Sequence, residues 1–587
     1  MTRLMRILFH AALVALACVL YVALAPGSGP REEENQGAVL FYNCHFWTGT
    51  GKDGISAADA MLADRVTGTI AQIGTREDIL RASEGGRGAV EEVDLGGKYC
   101  IPGLVDAHAH LILGGSFLSY LDLSQASSSE EFVALVVEAA SRLKPDEWLF
   151  GFGWDENKWV QGGKMLPKAE WINRHTGENP VCLTRADGHL ALVNDRALRL
   201  AQISSQTEDP EGGEIERDAE SGEPTGILKD AAITLVRRVQ PVLSKQERMD
   251  AISKAMDYGL SNGVTMVHDM GVPLFSQSLD LCMSDLLDVY FSMAEGSEMK
   301  FRVYACVPLD GAEELQDFIK RRGWSHPSQM LSWGCVKEFY DGSLGSETAL
   351  MHEPYTSGKN GIRIHQREAL EKKVAKANGF GMQVIMHAIG DLAVDEASAV
   401  LTEDGGARSN RRQRLEHVQH VSNLKSTFEL MKNGGIFAVV NPLHLLDDAK
   451  MMLDKLGVER SAKSYAFKSM LLSNVSIAFG SDWPLVAPLD PLGSIMAASD
   501  RVPYEHLESF VPEEAISREE ALIAATRLAS MASLTESLTG TLDAGMKADF
   551  VVLDRDILTC KEKPVVLQTF VNGQSKFKFV VKEAEEK

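Results

Sequence analysis

The stretch Ile101-Pro-Gly-Leu-Val-Asp-Ala-His-Ala-His110 decides the fold prediction. Its apolar residues around a Pro-Gly pair indicate a short buried strand that ends in two histidines. Side chains at positions i and i+2 of a strand point to the same side, so His108 and His110 project together. Two neutral imidazoles placed in this way can converge on one metal ion. A bare His-x-His pair is equally well explained by polar residues at an exposed strand end, so the rest of the chain must decide.

Strands and helices alternate along the middle of the chain, which is typical of βα units around a parallel sheet. About eight such units over roughly 430 residues predict a (β/α)₈ TIM-like barrel with insertions, the longest at about 115–260. Helical patterns lie between the strands, for example at 130–143, 244–261, 368–378 and 518–528. The strand candidates are Ile101–Val105, Val181–Thr184, Val264–His268, Arg302–Cys306, Gly334–Phe339, Gln383–His387, Arg414–His417, Ile436–Val440 and Val475–Gly480.

Both ends of the chain are rich in short β-prone runs that Gly-containing turns separate. Residues 37–100 and 536–580 are predicted to build one small β-sandwich domain, with an antiparallel sheet, beside the barrel at 101–535. Within the long insertion, the polar and Gly-rich stretch 204–226 is expected to be a loop or a lid.

Composition places the chain among ordinary globular proteins, with 587 residues, 45% hydrophobic and 24% charged. The length exceeds that of one simple domain and suits a large barrel with a smaller domain. A net charge of −23, without a Lys/Arg stripe, argues against a nucleic-acid partner. Eight cysteines without a Cys-x-x-Cys pair indicate neither a zinc ribbon nor a dense disulfide framework.

Residues 1–30 have the pattern of a secretory leader, because Arg3 and Arg6 precede an apolar run that extends from Ile7 to Ala25. This run is near the length that spans a bilayer, and the positive-inside rule places the bulk of the chain across the membrane. We expect a signal anchor in the endoplasmic reticulum or perinuclear membrane, or secretion if the leader is cleaved. The single Asn-x-Ser/Thr sequon, at Asn474, lies beside a predicted core strand, which argues against its glycosylation.

Further metal-binding side chains follow later strands, at the ends where a barrel carries its chemistry. Lys337, His387, His417 and Asp482 each come after a short apolar or β-prone run. Taken singly, a histidine after a strand is more often a satisfied polar group, and an aspartate there usually caps the next helix. The ordered set of six is much better explained by a metal centre.

The order His-x-His, Lys, His, His, Asp resembles the metal-dependent amidohydrolase superfamily. The flanking sequence resembles its amidohydrolase-3 branch, which includes N-substituted formamide deformylase-like enzymes, over about residues 38–575. Acidic versions with a leader are similar to the plant group called long-after-far-red, which implies a role in light signalling. The matching motifs are PGLVDAHAH, GFGWDENKW, DGHLALVN, GVTMVHDM, VKEFYDGSLGSETA, MHAIGD, RLEHVQH, FGSDWP and GTLDAGMKADFVVLD.

The resemblance implies a binuclear metal centre. His108, His110 and Asp482 would hold the first divalent ion, with zinc as the expected metal. His387 and His417 would hold the second. One ion in place of two remains open at this stage.

Lys337 would bridge the two ions as a carbamate formed with CO₂. This is chemically reasonable because an ammonium group cannot bind a dication, whereas a carbamate supplies two anionic oxygens. In the alternative, Lys337 pairs with Glu338 or Asp341, and a single-ion site is then favoured.

The implied reaction is hydrolysis of a carbon–nitrogen bond other than a peptide bond, in a linear or N-substituted amide, by metal-activated water. Asp482 would act as general base and then as general acid. His189 and His268 are candidate donors to the oxyanion that develops on the substrate, a place where metal stabilisation usually has the largest share.

Trp154, Asp187 and His444 are the candidate substrate-binding residues. Trp154 could line an aryl pocket, although a buried tryptophan more often belongs to a core. Asp187 lies in the family-like DGH motif, and His444 follows a predicted strand. The chain departs from many relatives at Asn441, where they carry Gln.

Two other classes of function stay open beside the hydrolase. One is a membrane-tethered signalling or binding protein that derives from an amidohydrolase and has no turnover. The other is an isomerase or deaminase that uses the same ligands. A small-molecule amide is the expected partner. A homodimer is the candidate assembly, and the sequence alone does not determine the oligomeric state.

Overall fold

Eight parallel strands, each hydrogen-bonded to its neighbours in chain order, form the centre of the computed structural model. The last strand returns to the first, because Asp482 N donates to His108 O (2.8 Å) and His110 N donates to Trp483 O (2.9 Å). A nearly closed eight-strand barrel is therefore confirmed. Its strands are Leu104–Ala109, Val264–Asp269, Arg302–Pro308, Leu331–Phe339, Gln383–Ala388, Arg414–His417, Phe437–Val440 and Ile477–Phe479.

The structure describes residues 37–50, 58–83, 90–156, 159, 165–185, 190–210, 213–230, 232–271, 278–403, 411–504 and 508–580. The predicted leader at 1–30 and the site candidates Asp187 and His189 lie outside these ranges. Among the described residues, no helix is both long enough and apolar enough to span a bilayer.

Helices connect the barrel strands and begin at residues that the sequence marks. Ser244 caps the helix Lys245–Ser261 through a capping box with Glu247. The single helix expected at 518–528 is two helices, because Thr526 leaves the helical conformation at φ −131°. The barrel helices are Leu111–Phe117, Lys245–Ser261, Leu279–Ser284, Phe291–Glu295, Ala312–Arg322, Arg367–Gly379, Asp391–Glu403, Leu424–Gly434, Pro442–Leu456, Val458–Ser461, Phe467–Leu472, Pro491–Asp500, Arg518–Ala524 and Arg527–Ala532, with a π-helical segment at Asp285–Tyr290 and 3₁₀ turns at Leu309–Gly311 and Pro512–Glu514.

Both ends of the described chain contribute strands to one seven-stranded sheet. Ala38–Phe46 pairs in parallel with Val90–Pro102, which corrects the expectation of a purely antiparallel sheet, and a Cys44–Cys100 disulfide joins these two strands. The joint β-unit is thus present, whereas the second packed sheet that a sandwich requires stays a prediction. The strands are Ala38–Phe46, Ala60–Asp64, Ile70–Gly74, Val90–Pro102, Phe550–Leu553, Val566–Val571 and Gln574–Lys578, with one helix at Arg76–Ser83.

A third sheet, of six strands, lies within the predicted insertion. The candidate strand Val181–Thr184 belongs to this sheet, so the other eight candidates account for the eight barrel strands. The expectation of a loop or lid at 204–226 is partly wrong, because Gly213–Arg217 and Pro224–Asp230 pair as an antiparallel hairpin. The strands are Leu121–Asp122, Leu149–Trp154, Val181–Arg185, Leu190–Val193, Gly213–Arg217 and Pro224–Asp230, and the helices are Ser129–Ala140, Glu170–Thr176, Asp195–Leu200 and Ile233–Arg237.

Gly103 separates the terminal sheet from the barrel. The predicted strand Ile101–Val105 is divided there, because Ile101 belongs to the strand Val90–Pro102 and Leu104 begins the first barrel strand. A Cβ atom on Gly103 would lie 2.0 Å from Oγ1 of Thr265, so this close approach of two strands requires glycine. The chain therefore passes directly from the terminal sheet into the strand that carries His108.

Candidate metal centre

The closure of the barrel brings three potential metal ligands together. Nε2 of His108 lies 3.4 Å from Oδ1 of Asp482, and Nε2 of His110 lies 3.2 Å from the same oxygen. One ligand atom from each of the three buried residues lies within 4.8 Å of the others. Because the first and eighth strands are neighbours, side chains 372 positions apart in the sequence meet at one point.

The other three predicted ligands approach this point from the middle strands of the barrel. The ring centroid of His417 lies 4.9 Å from that of His108 and 4.5 Å from that of His387. Nζ of Lys337 lies 5.1 Å from the ring centre of Phe339, which is itself 5.1 Å from the ring centre of His387. The structure thus gathers all six residues at the carboxyl end of the barrel.

Hydrogen bonds select the nitrogen that the first two imidazoles offer. Nδ1 of His108 lies 2.5 Å from Oε2 of Glu416, and Nδ1 of His110 lies 2.5 Å from the carbonyl oxygen of Gly271. Both partners are acceptors, so each Nδ1 carries the hydrogen and donates. A neutral imidazole has one N–H group, so in the neutral form of each ring Nε2 is the nitrogen that can bind a metal ion.

The remaining two imidazoles are fixed by contacts of a different kind. Nδ2 of Asn441 donates to the Gly480 carbonyl at 2.8 Å, which turns Oδ1 of Asn441 toward Nδ1 of His417, also at 2.8 Å. His417 therefore offers Nε2. His387 is arranged the other way round, because its Nε2 donates to the Gly342 carbonyl at 3.0 Å and its Nδ1 keeps the lone pair.

Burial sets the charge of these groups. It lowers the pKa of His108 and His417 well below 6.5, and that of His387 to about 4. Burial also acts to raise the pKa of Asp482, but the hydrogen bond from His110 and the surrounding imidazoles outweigh it and hold this pKa well below its ordinary value. Burial lowers the pKa of Lys337 to about 8.

His110 differs from the other three imidazoles. Burial alone would lower its pKa, but the hydrogen bond to the Asp482 carboxylate raises it. A proton on Nε2 of His110 and a metal ion compete for the same lone pair, so metal binding there releases a proton. Neutral imidazoles beside an ionised carboxylate are a donor set that zinc and similar ions bind, and the residues present therefore fit such an ion.

A buried ion pair that sequence reasoning missed lies next to His108. Nε and Nη2 of Arg414 donate to Oε1 and Oε2 of Glu416, each at 3.0 Å, and neither residue is exposed to solvent. Nη2 also donates to Ala107 O at 2.7 Å, and Nη1 donates to Nδ1 of His268 at 3.0 Å. The sixth strand is not a neighbour of the first or second, so these contacts cross the barrel interior.

Two histidines that the sequence placed near the substrate are buried in the structure. His268 accepts from Arg414, so its Nε2 carries the hydrogen, and this Nε2 has no hydrogen-bond partner among the described residues. His444 is 2% exposed, with Nε2 donating to Ser481 O at 3.1 Å and Nδ1 facing Nε2 of Gln419 at 3.3 Å. Both nitrogens of His444 are therefore engaged, and its ring centroid lies 6.2 Å from that of the predicted ligand His417. Its role in substrate binding stays a prediction.

Trp154 is also placed differently from its prediction. Its side chain has no exposed surface and packs in the apolar core of the inserted sheet, where Nε1 donates to Leu183 O at 2.9 Å. The expected aryl-binding role is therefore corrected to a core role, as is usual for a tryptophan with a satisfied N–H group.

The barrel and its gathered imidazoles and carboxylate define a class, the metal-dependent barrel hydrolases. Within this class the chain belongs to the amidohydrolase family, because the Amidohydrolase family model (Amidohydro_3) matches residues 91–577. The resemblance drawn from the motifs is thereby confirmed.

Three similar proteins bear on this assignment. The chain is 40% identical over 491 residues to Protein LONG AFTER FAR-RED 3 of Arabidopsis thaliana, covering 82% of this chain and 83% of that protein. It is 26% identical over 545 residues to N-substituted formamide deformylase of Arthrobacter pascens, covering 88% and 94%. A solved structure of an uncharacterized metal-dependent hydrolase from Pyrococcus furiosus matches with a TM-score of 0.71 and 27% identity, over 89% of this chain and 100% of that one.

Proposed function

We propose that this protein hydrolyses a carbon–nitrogen bond other than a peptide bond, in a linear or N-substituted amide. The observation that carries the proposal is the arrangement of His108 and His110, whose Nδ1 atoms are both engaged while both Nε2 atoms lie within 3.4 Å of Asp482. Family membership and the likeness to a formamide deformylase support an amide as the substrate.

The chain's own side chains would hold the metal. His108, His110 and Asp482 would bind one divalent ion, for which we propose zinc because imidazole and carboxylate donors suit it, and His387 and His417 would bind a second. A bound ion of this kind supplies Lewis acidity, which polarises a carbonyl group and makes water reactive near neutral pH.

Lys337 would join the two ions as a carbamate. Its position among the imidazoles supports this role, and its pKa of about 8 leaves roughly a tenth of the amine neutral at pH 7. The neutral nitrogen attacks CO₂, a nitrogen–carbon bond forms, and the amine proton leaves to solvent. A protein loaded with ¹³C-bicarbonate should give a carbamate carbon signal that is missing in Lys337→Arg. Its absence from the wild type would favour a single-ion site.

Asp482 would move the proton during the reaction. It is ionised, so it can accept a proton from the attacking water and then return that proton to the leaving nitrogen. Asp482→Asn should reduce hydrolysis by about 10²-fold or more. Asp500→Asn, a change of the same size at an exposed aspartate that pairs with Arg518, is the matched control and should leave the rate unchanged.

The substrate class is tested with an amide library on chelated and zinc-reconstituted protein. The library would contain N-substituted formamides, linear amides and dipeptides. We expect turnover of the first two groups by the reconstituted protein alone. Turnover confined to dipeptides, or equal turnover without metal, would contradict the proposal.

The cellular role is a separate part of the proposal. The leader and the two disulfides, Cys44–Cys100 and Cys306–Cys335, support a place in the secretory pathway, since disulfides persist in oxidising compartments. A retained leader would anchor the protein in the endoplasmic reticulum or perinuclear membrane, and a cleaved one would lead to secretion. The similarity to the Arabidopsis protein supports a signalling role in a plant. A homodimer stays a prediction that light scattering would test.

A binding protein without turnover is the second candidate. The contacts that orient each imidazole disfavour it, because a scaffold does not need four histidines with assigned lone pairs. Zinc analysis after reconstitution separates the two candidates, since a scaffold should hold no stoichiometric ion.

A further inference from the structure

We propose that Arg414 is a positioning residue, which holds Glu416 so that His108 presents Nε2 as a strong ligand. The inference rests on the proposed metal site and adds two residues outside the six predicted ligands. Its evidence is the set of contacts that the Arg414 guanidinium makes inside the barrel.

The guanidinium makes four hydrogen bonds in the barrel interior. Two of them are donated to the two carboxylate oxygens of Glu416, each at 3.0 Å, and this bidentate contact fixes the plane of the carboxylate. The other two reach Ala107 O at 2.7 Å and Nδ1 of His268 at 3.0 Å, so Arg414 ties the sixth strand to the first and second. Oε2 of Glu416 is then left 2.5 Å from Nδ1 of His108.

The charge of this pair has a consequence for the ligand. An isolated buried carboxylate would be strongly disfavoured, and the paired guanidinium stabilises its ionised form. An ionised carboxylate that accepts the Nδ1 hydrogen fixes the imidazole tautomer and raises the basicity of Nε2. A lysine at position 414 would supply the positive charge without the planar, bidentate hydrogen bonding of a guanidinium, so it should not restore the positioning of Glu416.

A purely structural role for the same ion pair makes a different prediction. If Arg414 and Glu416 only tie strands together, a neutral pair that restores stability should also restore metal binding. If they position His108, stability and metal affinity should separate. The test therefore compares the wild type, Arg414→Met, Glu416→Gln and the double variant, with melting temperature and zinc affinity by chelator competition as the two readouts.

We expect each single variant to melt at a lower temperature, because it leaves one charge buried without its partner. The double variant removes both charges and should recover most of the melting temperature, while its zinc affinity stays about 10–100-fold weaker than that of the wild type. Arg414→Lys, which keeps the charge, should show the same loss of zinc affinity. It provides the test if the double variant does not accumulate in cells.

Each outcome has a separate meaning. Wild-type zinc affinity in the double variant or in Arg414→Lys would overturn the positioning role while the metal site stands. A wild type that binds no zinc would overturn the proposed function itself, together with this inference.

A second observation, independent of the metal site, concerns Asn474. We infer that this residue is an N-glycosylation site on the face of the barrel opposite the metal centre. It begins the single Asn-x-Ser/Thr sequon of the chain. The sequon does lie beside a core strand, as expected, but Asn474 itself is exposed on the turn between the helix Phe467–Leu472 and the strand Ile477–Phe479.

The location of this turn suits a large substituent. Asn474 precedes the eighth barrel strand, whereas Asp482 follows it. A glycan on Asn474 would therefore lie at the end of the barrel opposite the candidate metal centre. Leu472, two residues earlier, is 74% exposed, and a neighbouring glycan would cover part of this apolar surface. Val475 is buried and anchors the turn, so the sequon has a fixed surface position.

The modification needs a lipid-linked oligosaccharyl diphosphate as co-reactant. The Asn474 amide nitrogen attacks the anomeric carbon, a carbon–nitrogen bond forms, and the carbon–oxygen bond to the diphosphate breaks. The lipid diphosphate leaves with the electron pair, and the amide loses one proton. This donor is used on the lumenal side of the secretory pathway, so the inference rests on the proposed location.

The test uses the full chain produced in leaf cells, with intact mass before and after peptide N-glycosidase treatment. We expect a shift for the wild type and none for Asn474→Gln or Ser476→Ala. Ala219→Asn creates a control sequon that ends at Ser221, on an exposed turn of the inserted sheet. A glycosylated control with an unmodified Asn474 would overturn the site alone. No glycan on either would overturn the site and contradict the lumenal location.

Discussion

Oδ1 of Asn441 lies 2.8 Å from Nδ1 of His417, while Nδ2 of the same amide donates to the carbonyl of Gly480. The second bond decides how the amide is turned, and the first then decides which nitrogen of His417 carries the hydrogen. The seventh and eighth strands thus control a predicted ligand on the sixth.

The first prediction follows from this relationship. Asn441→Leu keeps the size of the side chain but removes the acceptor, so it should weaken binding of the second zinc ion by about 10–100-fold. Burying the His417 N–H group without a partner should also cost about 1–3 kcal/mol of unfolding free energy. Zinc titration measures the affinity, and Asn441→Gln, which keeps the amide, is the control. Two wild-type zinc affinities in Asn441→Leu would contradict the assigned role.

The next prediction concerns Gly480, where an added side chain would clash with His108. A Cβ atom at this position would lie 2.5 Å from Cβ of His108 and 2.8 Å from its backbone nitrogen, so His108 would have to move. Gly480→Ala should therefore reduce zinc affinity, with an overpacking cost of about 1–3 kcal/mol.

The matched control for this change is Gly379→Ala. No atom lies within 4 Å of a Cβ built at Gly379, at the end of the helix Arg367–Gly379, so the control should be neutral or slightly stabilising. Calorimetry and zinc titration of both variants provide the comparison. Unchanged zinc affinity in Gly480→Ala would show that the position of His108 is less constrained than the geometry indicates.

His420 gives a prediction about pH. Burial, with the charge of Arg460, lowers the pKa of this histidine to about 3. In the unfolded chain the pKa is near 6.5, so below that pH the unfolded state takes up a proton that the folded state does not. The contribution of His420 to the free energy of unfolding is therefore complete above pH 6.5, and it falls by up to about 1.4 kcal/mol per pH unit down to about pH 3.

His420→Asn removes this titration while keeping a polar group near the Ser464 hydroxyl, which lies 2.8 Å from Nδ1 of His420. The difference in unfolding free energy between the wild type and the variant should shrink between pH 6.5 and 5. Urea denaturation of chelator-treated protein at several pH values measures it. A difference that does not depend on pH would contradict the assigned pKa.

The ligands were predictable because local sequence carries their signal. Each of the six follows a β-prone run, and in a parallel barrel the ends of all such runs meet at one face. His108 and His110 could be placed on one side of a strand from spacing alone. Eight of the nine strand candidates overlap a barrel strand, although Ile101–Val105 does so only from Leu104 onward. The ninth, Val181–Thr184, has the same pattern but pairs elsewhere.

The residues that orient the predicted ligands could not be predicted from local sequence. Glu416 lies 308 positions from the histidine that it contacts, and nothing around it distinguishes a buried carboxylate from an exposed one. The two disulfides join cysteines 56 and 29 positions apart, without a local spacing pattern. The sequence around Trp154 is compatible with a pocket and with a core, because aromatic clusters occur in both, and only three-dimensional packing separates the two.

The central claim is that buried histidines and Asp482 bind a catalytic metal ion, and metal analysis coupled to activity tests it most directly. The protein would be stripped by a chelator, reconstituted with zinc, analysed for zinc per chain, and assayed on a linear or N-substituted amide. We predict one or two zinc ions per chain in the wild type, a marked loss of zinc in His108→Asn with His110→Asn, and hydrolysis that rises with zinc content. A protein that retains no zinc after reconstitution, or that hydrolyses the amide equally well when metal-free, would contradict the account.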